Sequence, residues 1–285
     1  MKKVAIIILN FKVKEDTCRC IESVQNSDYK NLQIIVVNNS FDDELEEEIK
    51  NFKDVLFIQN KENLGFTGGN NVGVKYALLS GADYIFILNP DTLIDKDCIS
   101  ALIKTVNVGD ILGPKIYFAN SKKIWYAGGI LDKLNVIGKH RGVDEIDKAQ
   151  YENTEETDYV SGAAMFVKRK VFDSVGLFDE KYFLYYEDAD LSERVKNAGY
   201  KIIYAPAAII WHKNAGSAGG SGSRLQDYYT TRNRLLFGME YASLRAKIAL
   251  IKESLKLLFL GRYWQKKGVA DFYLKRFQKG SFNFN

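Results

Sequence analysis

The chain has 285 residues, 46% of them hydrophobic and 27% charged, which is ample for a packed core and excludes a disordered polypeptide. A formal charge of +4, carried by Lys and Arg spread along most of the length, leaves no nucleic-acid footprint. No apolar stretch approaches the roughly 20 residues needed to cross a bilayer; the nearest, Ile248 to Leu260, is interrupted by Lys252, Glu253 and Lys256.

The opening MKKVAIIILNF lacks a small-residue cleavage site and reads as a buried first strand rather than a signal peptide. Short β-branched runs at Val4 to Leu9, Leu32 to Val37 and Val55 to Gln59 alternate with amphipathic stretches at Asp16 to Asn26 and Asp42 to Asn51. That rhythm predicts βαβ units and a mostly parallel sheet. Cys18, Cys20 and Cys98 form an odd set without metal-type spacing, as expected for reduced thiols in a cytosolic protein. Gly68 to Ser80 predicts a helix with Val72, Tyr76 and Leu79 on one face. Tyr84 to Leu88 predicts a further buried strand, ending at Asn89-Pro90-Asp91.

Beyond Asp110 the segments Ile111 to Phe118, Ile124 to Gly129 and Ile130 to Gly138 suggest antiparallel additions. A strand at Tyr159 to Lys168, helices at Arg169 to Val175 and Glu187 to Ala198, and strands at Lys201 to Ala205 and Ala207 to Trp211 follow. Lys213 to Ser223 is almost entirely Gly, Ser, Ala and Asn, so it is expected to be mobile and to close over a bound ligand. From Gln226 onward the pattern is helical, suiting either an amphipathic face for a membrane or partner, or a helical hairpin packed on the core.

Four places could carry chemistry or approach a ligand. Asn89-Pro90-Asp91, directly after a strand, projects oxygen ligands suited to Mg²⁺ or Mn²⁺ on a diphosphate, although the same residues also make a plain turn. Glu187-Asp188-Ala189-Asp190 opens a helix with more carboxylates than capping explains, and one could act as general base. His212, at a strand end, could complete a metal's shell beside Asp91 or simply pack; His140 lies in a polar turn and suggests no role. The glycines within Asn63 to Asn71 could let backbone amides approach a ligand, without forming a G-x-G-x-x-G fingerprint or a P-loop.

In their order and spacing, IIILNF, IIVVNNSFDD, NLGFTGGNNVG, FILNPDTLI and GAAMFVKRKVFDSVGLFDEKYFLYYEDADLSERVKNAGY resemble the inverting family 2 glycosyltransferases of GT-A fold, in particular the rhamnosyltransferase-like branch. The resemblance covers roughly Val4 to Leu236. It implies an α/β fold: a Rossmann-like, mostly parallel sheet flanked by helices, with a small antiparallel addition and a C-terminal helical segment. Residues 1–236 would be the transferase domain, with 1–110 the nucleotide-binding half, 111–236 the acceptor half and 237–285 an amphipathic extension.

The implied reaction moves a sugar, with inversion, from a UDP- or dTDP-sugar, dTDP-rhamnose among them, to a hydroxyl of a glycan or lipid-linked saccharide in cell-surface polysaccharide synthesis. Divalent Mg²⁺ or Mn²⁺ would be required. On this resemblance Asp91 is the leading metal ligand and His212 reaches the metal or diphosphate, while Asn89 stands where many relatives carry an acid. Asp188 is the base, with Glu187 and Asp190 orienting the acceptor or supporting it. Asn38 replaces an Asp expected to read the nucleobase, and it can donate as well as accept. Asn10, Asn39, Asn63, Phe66, Gly69 and Asn70 would surround the nucleoside and ribose, and Arg232 would lie near the diphosphate.

The same reading implies a cytoplasmic enzyme, peripheral at the inner membrane face through 247–279, where basic residues lie among Leu, Phe, Tyr and Trp264. Two rivals stand beside it. A non-catalytic nucleotide-sugar or glycan-binding relative would explain Asn38 and Asn89, but Asp91, Asp188 and His212 argue against it. A sugar-phosphate nucleotidyltransferase needs a Gly-rich basic loop where this chain reads Asn10-Phe11-Lys12-Val13-Lys14-Glu15. The sugar, acceptor and linkage depend on the poorly patterned segment Gly113 to Asp158.

Overall fold

The computed structural model describes residues 1–41, 44–213 and 223–284. Its first half alternates β1 (Val4–Asn10), α1 (Lys14–Gln25), β2 (Leu32–Asn38), α2 (Leu45–Ile49), β3 (Val55–Gln59), α3 (Gly65–Leu79) and β4 (Tyr84–Leu88). The four strands are parallel in the order β3-β2-β1-β4, with Val4 level with both Leu32 and Tyr84. Successive residues of β1 feed opposite cores: Val4, Ile6 and Ile8 join one buried cluster, and Ala5, Ile7 and Leu9 the other. Burial on both faces is why these strands read as unbroken apolar runs.

Helix α3 turns a different face inward from the one expected. Leu79 is 88% exposed and Tyr76 is exposed too, whereas Gly69, Gly73, Val74 and Ala77 are buried. A Cβ on Gly73 would lie 2.6 Å from Ile7 and one on Gly69 would lie 2.4 Å from Leu9. The glycines thus let the helix backbone settle directly on β1, and small size rather than hydrophobicity selects the packed face.

The second half contains β5 (Thr92–Ile94), α4 (Cys98–Thr105), β6 (Ile111–Phe118), β7 (Ile124–Tyr126), β8 (Gly129–Asp132), β9 (Ile137–His140), β10 (Glu155–Glu156), β11 (Ala164–Lys168), α5 (Arg169–Val175), α6 (Glu187–Asn197) and β12 (Ile202–His212). The main sheet continues as β4-β11-β6-β12-β10, with β11 antiparallel to both neighbours, while β8 and β9 form a separate hairpin. The expected mostly parallel sheet with an antiparallel addition is therefore present. The two strands expected at 201–205 and 207–211 are one, β12, which stays beside β6 through a register shift between Ala205 and Ile209. Of the strand expected at Tyr159 to Lys168, only β11 joins the sheet. Cys20 and Cys98 are buried, and burial pushes both thiols upward from their ordinary value; all three cysteines are unpaired.

The chain ends in α7 (Arg224–Tyr241), α8 (Leu244–Leu260) and α9 (Tyr263–Tyr273). Their buried residues Leu235, Phe237, Leu250 and Val269 share a cluster with Leu131, Val136, Tyr182 and Ala189, so the three helices pack on the body through one face. The boundary expected at 236/237 falls inside α7, which runs unbroken across it. No helix among the described residues is long and apolar enough to cross a membrane.

Candidate functional site

A cavity of about 470 Å³ opens beside the carboxyl ends of β1, β2 and β4, where open α/β sheets place their ligands. Leu9 and Phe11 follow from β1, Asn39 from β2, and Asn89, Pro90 and Asp91 from β4; Asn63, Gly65 and Phe66 enter from the start of α3. The remaining walls include Ser161 to Ala163, Phe183 to Tyr185, Glu187, Asp188 and His212.

Asp91 and His212 meet because β5 doubles back antiparallel to β12, setting Thr92 opposite His212. Lys213 N–H donates to the Asp91 carbonyl at 2.9 Å, and His212 Nε2 lies 3.0 Å from Asp91 Oδ1. Both side chains are nearly excluded from solvent. That spacing suits two adjacent ligands on an octahedral ion with bonds of about 2.1 Å. Among the described residues no group of three His, Cys, Asp or Glu side chains forms a metal cage. One carboxylate and one imidazole fit a Mg²⁺- or Mn²⁺-type ion that takes its other ligands from substrate phosphates and water. His212 Nδ1 is buried without a hydrogen-bond partner among the described residues, and the ring rests edge-on against Trp125 at 4.6 Å.

The carboxylates at the start of α6 divide between two environments. Asp188 Oδ2 accepts from Gly162 N–H at 3.1 Å and Oδ1 from Ala189 N–H at 2.8 Å, which fixes the carboxyl group's orientation in the cavity. Burial raises its pKa above the ordinary carboxylate value. Glu187 is also raised well above the ordinary carboxylate value, first by burial and then by the charge of Asp188, and its buried Oε2 has no partner among the described residues. Asp190, expected beside them, does not line the cavity: it is held by Arg194 at 2.8 Å and by the Tyr241 hydroxyl at 2.8 Å. The helical turn carries it to the face packed against α7.

The asparagines expected around a nucleoside form a linked network, of which only part lines the cavity. Asn10 Nδ2 donates to Asn38 Oδ1 at 2.8 Å, and Asn38 Nδ2 donates to Gln59 Oε1 at 3.0 Å, so both side chains sit behind the wall. Asn39 reaches the wall, donating to the Gly65 carbonyl and to Asn63 Oδ1. Gly69 supports it from behind, and Asn70 turns back to the Phe66 carbonyl. The amides expected to face a ligand are used within the protein: Gly65 N–H donates to Asn63, and Phe66 and Thr67 N–H both donate to the Phe183 carbonyl.

Arg232 overturns its expectation most clearly. It is fully buried, donates to the carbonyls of Lys181, Tyr182 and Gln278, and lies against the rings of Tyr228 and Tyr229, so it cannot reach a diphosphate in the cavity. The two amide hydrogens of its neighbour Asn233 are shared among the carbonyls of Tyr182, Leu184 and Tyr185, each 2.8 Å from Nδ2. Those bonds hold a turn in which Phe183, Tyr185 and Tyr186 all have positive φ, a conformation costing about 1–2 kcal/mol per side-chain-bearing residue. The turn delivers Glu187 and Asp188 to the cavity.

Three lining residues carried no sequence signal. His140, at the end of β9, is brought in by the hairpin; it approaches the Trp125 carbonyl at 3.1 Å, and burial lowers its pKa to about 4, so it is neutral at pH 7. Trp125 stands between His140 and His212. Phe284, far along the chain, closes a wall against Phe11 and Phe183 at 5.8 and 5.7 Å. The expected closing loop lies outside the described residues over 214–222.

Sequence comparison matches residues 5–176 to the family described as Glycosyl transferase family 2. A low-salt glycan biosynthesis hexosyltransferase of Haloferax volcanii is 25% identical, the match covering 81% of this chain and 74% of that protein. The poly-beta-1,6-N-acetyl-D-glucosamine synthase of Staphylococcus aureus is also 25% identical, over 87% of this chain but only 61% of the synthase. The fold is shared with the crystal structure of GalNAc-T7 with UDP, GalNAc and Mn²⁺, at TM-score 0.64 and 14% identity over 89% of this chain and 54% of that one. It is also shared with that of S. aureus TarS 1-349, at TM-score 0.58 and 13% identity over 95% and 78% of the two chains.

Proposed function

The chain belongs to glycosyl transferase family 2, and from that premise we propose that it moves a hexosyl or rhamnosyl group from a UDP- or dTDP-sugar to a hydroxyl of a glycan or lipid-linked saccharide, with inversion. Its place is cell-surface polysaccharide synthesis, peripheral to the cytoplasmic face of a membrane. The supporting observation is that one cavity at the strand ends holds both the Asp91–His212 pair and the oriented carboxylate of Asp188.

Asp91 and His212 would hold a divalent cation, which when bound offsets negative charge on the diphosphate. Asp188 takes the proton from the acceptor hydroxyl as that oxygen attacks the anomeric carbon, and the departing nucleoside diphosphate leaves from the opposite side. The N–H groups of Gly162 and Ala189 each hold one Asp188 oxygen, so the base meets its acceptor already oriented. Glu187, the preceding residue, keeps its proton to higher pH than an ordinary glutamate and can donate a hydrogen bond to the acceptor or to Asp188. The side chains of Asn39, Asn63 and Phe66 form the nucleoside end.

The test is nucleotide release from a panel of UDP-, dTDP- and GDP-sugars with Mg²⁺ or Mn²⁺ and glycan acceptors. Metal-dependent release that disappears in Asp91→Ala and Asp188→Asn identifies the donor and supports the transferase. Binding without release, unchanged in Asp188→Asn, would instead identify a non-catalytic nucleotide-sugar-binding relative.

A further inference from the structure

Helix α8 uses only part of its circumference in the fold. Ala246, Leu250 and Ser254 are buried against the body, whereas Leu244, Ile248, Ile251, Leu255 and Phe259 are 40–78% exposed. Their spacing of three and four residues lines all five on one side of the helix. The stripe continues at the corner into α9, where Leu260 is 76% and Tyr263 62% exposed. A row of this length is unlike the scattered single apolar residues of an ordinary surface.

The charges indicate what covers it. At 100° per residue, Arg245, Lys252 and Lys256 run along one flank of the stripe and Lys247 lies on the other. The only acid of the helix, Glu253, points away and pairs with Arg234 at 2.7 Å. Across 244–279 there are ten Lys and Arg against two acids, Glu253 and Asp271, and Asp271 is buried against Tyr228 and Ser281. Apolar side chains bordered by long basic ones, which extend their charged ends to the headgroups, match the layered chemistry of an anionic bilayer surface.

We propose that α8 and the α8–α9 corner form a docking face for an anionic lipid surface, with the Leu244–Phe259 stripe entering the acyl boundary and the flanking Arg and Lys meeting the headgroups. The proposal deepens the peripheral placement above and needs no turnover, because membrane attachment is read without donor or acceptor. It commits the body to one orientation, with α8 flat on the membrane and its buried side turned toward α7 and α9.

The experiment is co-sedimentation of the full chain with vesicles of phosphatidylcholine alone or with phosphatidylglycerol added, at low and high salt. Expected is retention on the anionic vesicles that weakens with salt. The double substitution Leu255→Asp and Phe259→Asp should lower partitioning by roughly a hundredfold, the equivalent of two large apolar side chains kept in water. Leu255→Met with Phe259→Leu should retain it, and Lys252→Glu with Lys256→Glu should abolish the preference for anionic lipid. All these side chains are exposed, so an unchanged melting temperature separates lost docking from lost folding. Failure of the wild-type chain to sediment with anionic vesicles at low salt overturns the proposal. So does a lipid-free dimer, seen by analytical ultracentrifugation, that the aspartate substitutions dissociate, because the stripe would then join two copies of this chain.

Discussion

His212 Nε2 stands 3.0 Å from Asp91 Oδ1 across 121 positions of sequence, held there by the antiparallel pairing of β5 with the end of β12. If this pair grips the cation, Asp91→Ala and His212→Ala each lower turnover by at least about a hundredfold, since even residues that only support metal ligands are worth 10- to 100-fold. Steady-state rates across a Mn²⁺ titration check this. A full rate in Asp91→Ala with an unaltered metal requirement would place the cation elsewhere.

Asp188 and Asp190 are two residues apart but are predicted to fail differently. Asp188→Asn should cost about 10²- to 10⁴-fold in kcat with little change in donor affinity, as for loss of a general base. Asp190→Asn breaks the buried pair with Arg194 and should lower the melting temperature while leaving the rate per folded molecule nearly unchanged. Paired kinetics and thermal melts distinguish them. The acid limb of the wild-type rate profile should lie above the ordinary aspartate range, because burial raises Asp188.

Glu187 makes stability depend on pH in a direction opposite to that of a salt-bridged carboxylate. In the unfolded chain it ionises near its ordinary value of 4.5, while burial and Asp188 keep it protonated to higher pH in the fold. Between those two values rising pH ionises only the unfolded state, so its contribution falls and stays lowered above the window. Glu187→Gln should therefore raise the melting temperature at pH 8 and change it less at pH 4. Equal shifts at both would show that the carboxyl group ionises as freely in the fold as outside it.

Asn233 holds three carbonyls of a turn containing three left-handed aromatic residues. Asn233→Ala should destabilise the protein by about 3 kcal/mol and lower kcat in the molecules that remain folded, since Asp188 follows that turn. Denaturant melts with rates normalised to the folded fraction measure both effects. Destabilisation with normal kcat would confine Asn233 to folding.

Phe284 is predicted to act mainly on affinity. Removing its ring from the wall shared with Phe11 and Phe183 in Phe284→Ala should raise the donor or acceptor KM about tenfold, the scale of one aromatic contact, with only a small fall in melting temperature from the lost ring contacts. Unchanged KM for both substrates would make the ring a bystander.

The β1 to β4 frame was legible in sequence because doubly buried strands must be continuously apolar, and Val55 to Gln59 and Tyr84 to Leu88 have the expected bounds. Asp91, Asp188 and His212 were readable because each lies where a regular element ends or begins. The inner face of α3 is not legible from apolar periodicity, because Gly69 and Gly73 pack by being small. Arg232 shows the limit of a resemblance: its segment is similar to one near a diphosphate, but nothing local reveals that distant carbonyls enclose the side chain. Trp125, His140 and Phe284 arrive through a hairpin and a terminal segment, whose positions are set by tertiary packing alone.

The path from Gln278, bound to Arg232, through Ser281, bound to Asp271, to Phe284 at the cavity wall has a practical consequence. A bulky label placed on the exposed Ser281 would sit on this path beside the site and displace the Phe284 ring. Leu79, 88% exposed on α3 and outside the cavity lining, is a safer labelling position, and labelled variants made for assay should carry their label there.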